Sequence, residues 1–175
     1  SLFLISGIRI FDSLNLTMTV ISSGGFLPTD SLNDIIRNNF QSLFLCFAFL
    51  LSILNFYLIY NLILERDNLK KHTEDIFIIA LVIIFSVTFY FMNDLNLSSV
   101  FVNVISSIGN SGISTGEVPE NFALYFIILT LFGGSVLSTT SGLKFLRIYI
   151  LIKAFFMEIY RLVKPNLMLN TKIMF

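Results

Sequence analysis

The apolar run Phe122 to Phe132 stops abruptly at Gly133-Gly134, and helical sequence resumes only at Leu143. Between them lies a cluster of small and polar residues, Ser135 to Gly142. Gly133, Gly134, Ser135, Ser138, Thr139, Thr140, Ser141 and Gly142 together exceed what a kink requires, although a kink is the simpler alternative, because glycine and serine permit one. In hydrocarbon, irregular backbone survives only where protein covers it or where it lines a water-filled path. The interruption therefore reads as an intramembrane loop on the path of a small ion or solute, placed to act as its gate. Lys144 directly follows the loop and is expected to face the cavity, whereas Arg147 is expected to reach back to the inner surface along its apolar stem.

That reading requires a membrane chain, and the composition agrees. Hydrophobic residues make up 55% and charged residues 13%, against about 25% charged in soluble domains; the mean hydropathy is +0.86. Net charge is zero and no basic run occurs, so no nucleic-acid partner is expected. Cys46 is the single cysteine, which excludes an intrachain disulfide, and His72 is the single histidine. With no carboxylate pair inside a span, neither enzymatic activity nor a cofactor is expected.

Phe40 to Leu64 contains no charge and is expected to be one span, with Gln41 and Asn55 among its polar residues. Ile76 to Met92 is a second span, and the charged stretch Glu65 to Asp75 joins the two as a loop. Two further apolar segments, Phe11 to Ile21 and Leu97 to Ser107, fall short of the roughly 20 residues a span needs and read as half-length helices. Each ends in a turn of small residues: Ser22-Ser23-Gly24-Gly25, followed by Phe26, and Gly109-Asn110-Ser111-Gly112. Setting Gly25 on Gly112 places Ser22 on Gly109, Ser23 on Asn110 and Gly24 on Ser111. The repeated unit is span, re-entrant pore helix, span. The fold class is an all-α polytopic membrane protein with repeated span–pore helix–span units, re-entrant filter loops and a broken intramembrane helix.

A filter that strips water from a cation needs carbonyl oxygens aimed at one axis. A glycine-rich turn presents several in succession, and the negative C-terminal end of the preceding helix favours a cation beside it. The alternative is that small residues only let helices approach closely. Asp30, Glu117 and Glu120 follow the turns, where they would enrich cations at a mouth. Arg66, Lys70 and Lys71 place the 65–75 loop in the cytoplasm, and the absence of Lys and Arg from 93–121 places that region outside.

The passage Gly133 to Arg147 resembles the glycine-rich intramembrane loop of the membrane subunit of Trk-type potassium uptake systems, in the Trk/Ktr/HKT superfamily. Gly133, Gly134, Ser138, Thr139, Gly142 and Lys144 match a pattern of roughly GGxxGSTxGGxK. Leu137 and Ser141 stand where the pattern has glycine, which implies a less flexible loop. Ser22 to Phe26 with Thr29 and Asp30 looks like the family's second filter, and Gly112 with Ser114-Thr115 like the third, although Gly109 to Ile113 departs from its usual TTxGF. Arg161 to Asn166 is similar to the basic, proline-terminated end of the broken helix.

The resemblance implies a piece of a pore built from four repeats. Residues 1–64 would be a partial second repeat, 65–75 a cytoplasmic loop, 76–165 the third repeat, and 166–175 the unassigned start of the next segment. It further implies potassium as the transported ion, a multi-pass location in the bacterial cytoplasmic (inner) membrane, a homodimer, and a cytoplasmic nucleotide-binding regulatory subunit. The alternatives are a sodium- or mixed-cation-conducting relative and a secondary transporter with broken helices.

Overall fold

A computed structural model describes residues 2–29, 31–64, 73–93, 96–116 and 120–163. Among them there are helices and no strands: α1 (Leu2–Ile5), α2 (Ile10–Ser22), α3 (Leu32–Ile35), α4 (Asn39–Ile53), α5 (Phe56–Leu64), α6 (Thr73–Met92), α7 (Leu97–Ile108), α8 (Ala123–Phe132) and α9 (Phe145–Val163). Arg66, Lys70, Lys71, Asp30, Glu117 and residues 164–175 lie outside the described residues.

The short α7 is the centre of the fold. It packs against α4, α6 and α8 and buries Val100, Val102, Asn103, Val104, Ile105, Ser106 and Ile108. At about 1.5 Å per residue, its 12 residues and the 13 of α2 reach only part of the way through a bilayer of about 30 Å. Aromatic packing joins α6 to α8. Phe89 is fully buried, with the rings of Phe126 at 5.2 Å and Phe122 at 5.4 Å, both edge-on. The Tyr125 hydroxyl hydrogen-bonds with the Phe85 carbonyl and with Thr88. At the other side, Gln41 is buried at the start of α4. Its Oε1 accepts the Arg37 N–H at 2.9 Å and its Nε2 donates to the Ser6 carbonyl at 3.2 Å, which ties the segment after α1 to α4.

One expectation is corrected. Residues 40–64 do not form one straight span: α4 and α5 meet at a 102° bend. Leu54 is extended there (φ −74°, ψ 160°), and the backbone groups released by the bend have partners far along the chain. The Asn55 N–H donates to Asp75 Oδ1 at 2.9 Å, the Ser135 N–H donates to the Ile53 carbonyl at 3.0 Å, and Asn55 Oδ1 accepts the Tyr57 N–H at 2.8 Å, starting α5. α6 begins at Thr73, three residues before its uncharged run, so Glu74 and Asp75 lie on helix. It is long and apolar enough to cross a membrane, and the bent α4–α5 pair passes the same test only if the two are taken together. Large apolar side chains cover the outside, Phe91 and Leu162 among the most exposed, and α9 buries none of its residues.

Candidate functional site

Both glycine turns sit at the C-terminal ends of the half-length helices, α2 and α7, neither of which carries a basic residue in its last turn. The negative ends of these helices are therefore left uncompensated beside the turns.

The two turns share one backbone pattern. Ser23 (φ 51°) and Asn110 (φ 57°) are left-handed, and two residues on, Gly25 (φ 71°) and Gly112 (φ 68°) are left-handed again. The Gly24 N–H donates to the Thr19 carbonyl at 3.3 Å, and the Ser111 N–H to the Ser106 carbonyl at 3.0 Å. All of these pairs obey the register that places Gly25 on Gly112. The turns also meet. A Cβ on Gly25 would run into the Ser111 carbonyl oxygen, whereas one on Gly112 would find nothing within 4 Å. Gly109 and Ser111 are buried, Ser22 and Gly24 exposed. A cavity of about 420 Å³ opens against the pair, lined by Gly25, Gly112, Ser31, Asn33, Ser114 and Gly116 among others.

Side chains from α2 and α7 hold the segments that leave the turns. Thr19 Oγ1 donates to the Phe26 carbonyl. Asn103, 2% exposed, accepts the Thr115 N–H at 2.8 Å and its hydroxyl at 3.2 Å, and donates to its carbonyl at 3.3 Å. Asn103→Ala strands buried polar groups on Thr115 and should cost about 1–3 kcal/mol. Thermal unfolding in detergent would measure this.

Residues 133–144 form a non-helical segment docked on the α4–α5 bend. The Thr139 N–H and hydroxyl both reach the Ser52 carbonyl at 3.3 Å, and the Phe56 N–H donates to the Leu137 carbonyl at 3.3 Å. Within the segment, the Gly134 N–H donates to Thr140 Oγ1 at 3.0 Å, and the Ser138 hydroxyl, 2.8 Å from that same oxygen, donates to the Ser135 carbonyl at 2.7 Å. Lys144 Nζ turns back onto the segment and donates to the Ser138 carbonyl at 3.0 Å and hydroxyl at 3.1 Å, so it pins the loop rather than standing clear in a cavity. Ser135 and Thr140 are buried, Ser141 and Gly142 exposed, and Arg147 is exposed at the start of α9.

Three contributors escaped the reading of the sequence. Glu74 Oε1 accepts the Val136 N–H at 3.0 Å, the buried Asp75 holds the bend through Asn55, and Ser52 supplies the carbonyl for Thr139. The one signal for them was Asn55, a polar residue in the middle of an uncharged run.

No family profile matches the chain. Among curated proteins, it is 29% identical over 184 residues to the Trk system potassium uptake protein TrkG of Escherichia coli, covering 97% of this chain and 38% of that one. It is 28% identical over 184 residues to TrkH of Salmonella typhimurium (96% and 38%), and 27% identical over 169 residues to an uncharacterized cation transporter of Methanocaldococcus jannaschii (94% and 35%). The chain thus spans little more than a third of the length of these relatives. Among solved structures, the potassium transporter TrkH of Vibrio parahaemolyticus superposes with a TM-score of 0.78 at 21% identity, over 98% of this chain and 40% of that one. The all-helical fold is therefore that of the corresponding part of this transporter, and the resemblance drawn from the loop and turns to Trk-type proteins is borne out along nearly the whole chain.

Proposed function

We propose that this chain supplies two of the repeats around the pore of a Trk-type potassium uptake protein in the bacterial cytoplasmic membrane. Potassium is the transported substrate. In this reading Ser22, Ser23, Gly24 and Gly25 form one quarter of the selectivity filter, and Gly109, Asn110, Ser111 and Gly112 form another. Backbone oxygens replace the water of the ion, and the C-terminal ends of α2 and α7 favour its charge. The segment from Gly133 to Gly142, with Lys144, is the gate. The partners proposed are a second copy of the protein and a cytoplasmic nucleotide-binding regulatory subunit.

The observation that carries the reading is the pairing of the two turns. They have the same left-handed positions in the same register, and Gly25 lies against the Ser111 carbonyl oxygen. Glycines that served only to bring helices together would need neither the shared register nor a meeting of the turns. The docked segment at 133–144 supports the gate assignment because its hydrogen bonds run to a bend in a neighbouring helix pair and not along its own helix.

The test is ion flux through the intact protein, as its host makes it, in proteoliposomes. Rubidium or potassium should enter and sodium should enter far more slowly. Equal entry of sodium would favour a mixed-cation conductor. Flux that required a co-transported ion or proton would favour a secondary transporter. Orientation is checked in the same preparation. A membrane-impermeant thiol reagent should reach Ser114→Cys from outside and Leu162→Cys only from the cytoplasmic side; the reverse pattern would overturn the topology.

A further inference from the structure

In an unbroken helix the Thr130 carbonyl would accept the N–H of residue 134. Here the Gly134 N–H is turned to Thr140 Oγ1, and the Thr130 carbonyl takes another donor. Asn110 Nδ2 reaches it at 3.1 Å, and the same amide donates to the Ser141 carbonyl at 3.2 Å. Thr130 belongs to α8, before the break, and Ser141 to the loop after it. One side chain, rooted in the second glycine turn, thus holds both lips of the break.

Its own position is fixed by the turn. Asn110 is left-handed (φ 57°), a conformation that asparagine visits more readily than most side chains. Its backbone N–H donates to the Ser107 carbonyl at 3.0 Å. A change in the turn therefore moves the amide, and displacement of the loop removes the Ser141 acceptor. The loop leaves room for this contact at Gly142, where a Cβ would come within 2.7 Å of Asn110 Nδ2.

We infer that Asn110 couples the filter to the gate: it is a positioning residue through which an ion held at the second glycine turn favours the docked loop, and the docked loop favours the ion-holding turn. Linkage makes the two effects equal in free energy. The inference rests on the pore reading above, because it needs an ion at the turn and a loop that moves.

The test reads loop exposure against ion occupancy. Ser135, fully buried in the docked loop, is changed to cysteine in the intact protein, with its other accessible cysteines replaced. A thiol reagent is applied from the cytoplasmic side in potassium and in choline. With Asn110 present, potassium should slow labelling by about fivefold or more, the lower end of typical coupling. In Asn110→Ala and in Asn110→Asp, which keeps the shape but loses both donors, labelling should be fast and independent of potassium. Gly142→Ala, which crowds the amide from the loop side, should act the same way.

A protein that transports potassium but labels at one rate in both media would overturn the coupling alone. So would variants that insert, transport and keep the potassium effect. A protein that moves no cation overturns the pore reading, and the coupling with it. Loss of the potassium effect in Gly142→Ala as well as in the Asn110 variants, all inserting with a normal gel-filtration profile, supports the role, because Gly142 lies outside the second turn and crowds the Asn110 amide only from the loop side.

Discussion

Gly25→Ala in the intact protein should lower rubidium uptake by at least about tenfold while leaving membrane insertion unchanged. Two costs combine at this position. Gly25 is left-handed (φ 71°), a region in which an L-residue pays about 1–2 kcal/mol. The added Cβ also runs into the Ser111 carbonyl oxygen of the other turn. That contact is with backbone, which cannot swing aside as a side-chain end would, so the turns must separate. About 1.4 kcal/mol is a factor of ten in an equilibrium, and strain plus displacement exceeds it. Gly112→Ala carries the left-handed cost without the collision, since nothing lies within 4 Å of its Cβ position, and its loss of flux should be smaller. Rubidium and sodium uptake measured side by side would check both variants. Unchanged flux and selectivity in both would return the turns to a packing role.

The asymmetry between these glycines shows where the sequence stops being informative. The half-length helices, their glycine turns and the interrupted helix were legible because each is a local pattern: too few apolar residues to span, then residues that permit left-handed backbone. The register of the two turns was legible for the same reason. The collision at Gly25 was not, because it depends on how α2 and α7 approach each other. The bend between α4 and α5 was hidden more thoroughly. Its stretch carries no charge, Asn55 is only one of several polar residues in it, and the groups that stabilise the bend, Asp75 and Ser135, come from elsewhere in the chain. Glu74 and Asp75 read as loop charges beside Arg66, Lys70 and Lys71, and only the start of α6 at Thr73 turns them toward the break. The loop itself was recognised by composition, but the anchors of its backbone, Ser52, Ile53 and Glu74, lie on other elements and were not.

Those bonds set the direction of the second large effect. Gly134→Ala should raise potassium flux by about fivefold or more and weaken control by a regulatory partner, with ion preference unchanged. A Cβ at Gly134 would lie 2.7 Å from the Ile53 carbonyl oxygen and 2.7 Å from Ser138 Oγ. The first is the acceptor of the Ser135 N–H, the second the hydroxyl that Lys144 grips. The loop must lift from the bend, loosening its bonds to Ile53 and Ser52. At about 0.5–1.5 kcal/mol for each net hydrogen bond, losing two shifts the docked equilibrium by about 1–3 kcal/mol, or roughly 5–150-fold. The docked state has little to spare, because the Ser135 hydroxyl is fully buried with no hydrogen-bond partner among the described residues, an arrangement that itself costs about 1–3 kcal/mol. None of the three nearest neighbours of a Cβ at Gly134 belongs to a glycine turn, so potassium should still be preferred over sodium while flux rises. Removing 136–140, which deletes the Ser138, Thr139 and Thr140 anchors together, should act in the same direction and further. If both variants insert normally and either leave flux unchanged or alter selectivity alone, the segment is no gate, and the break in the helix is a fixed kink stabilised by its neighbours.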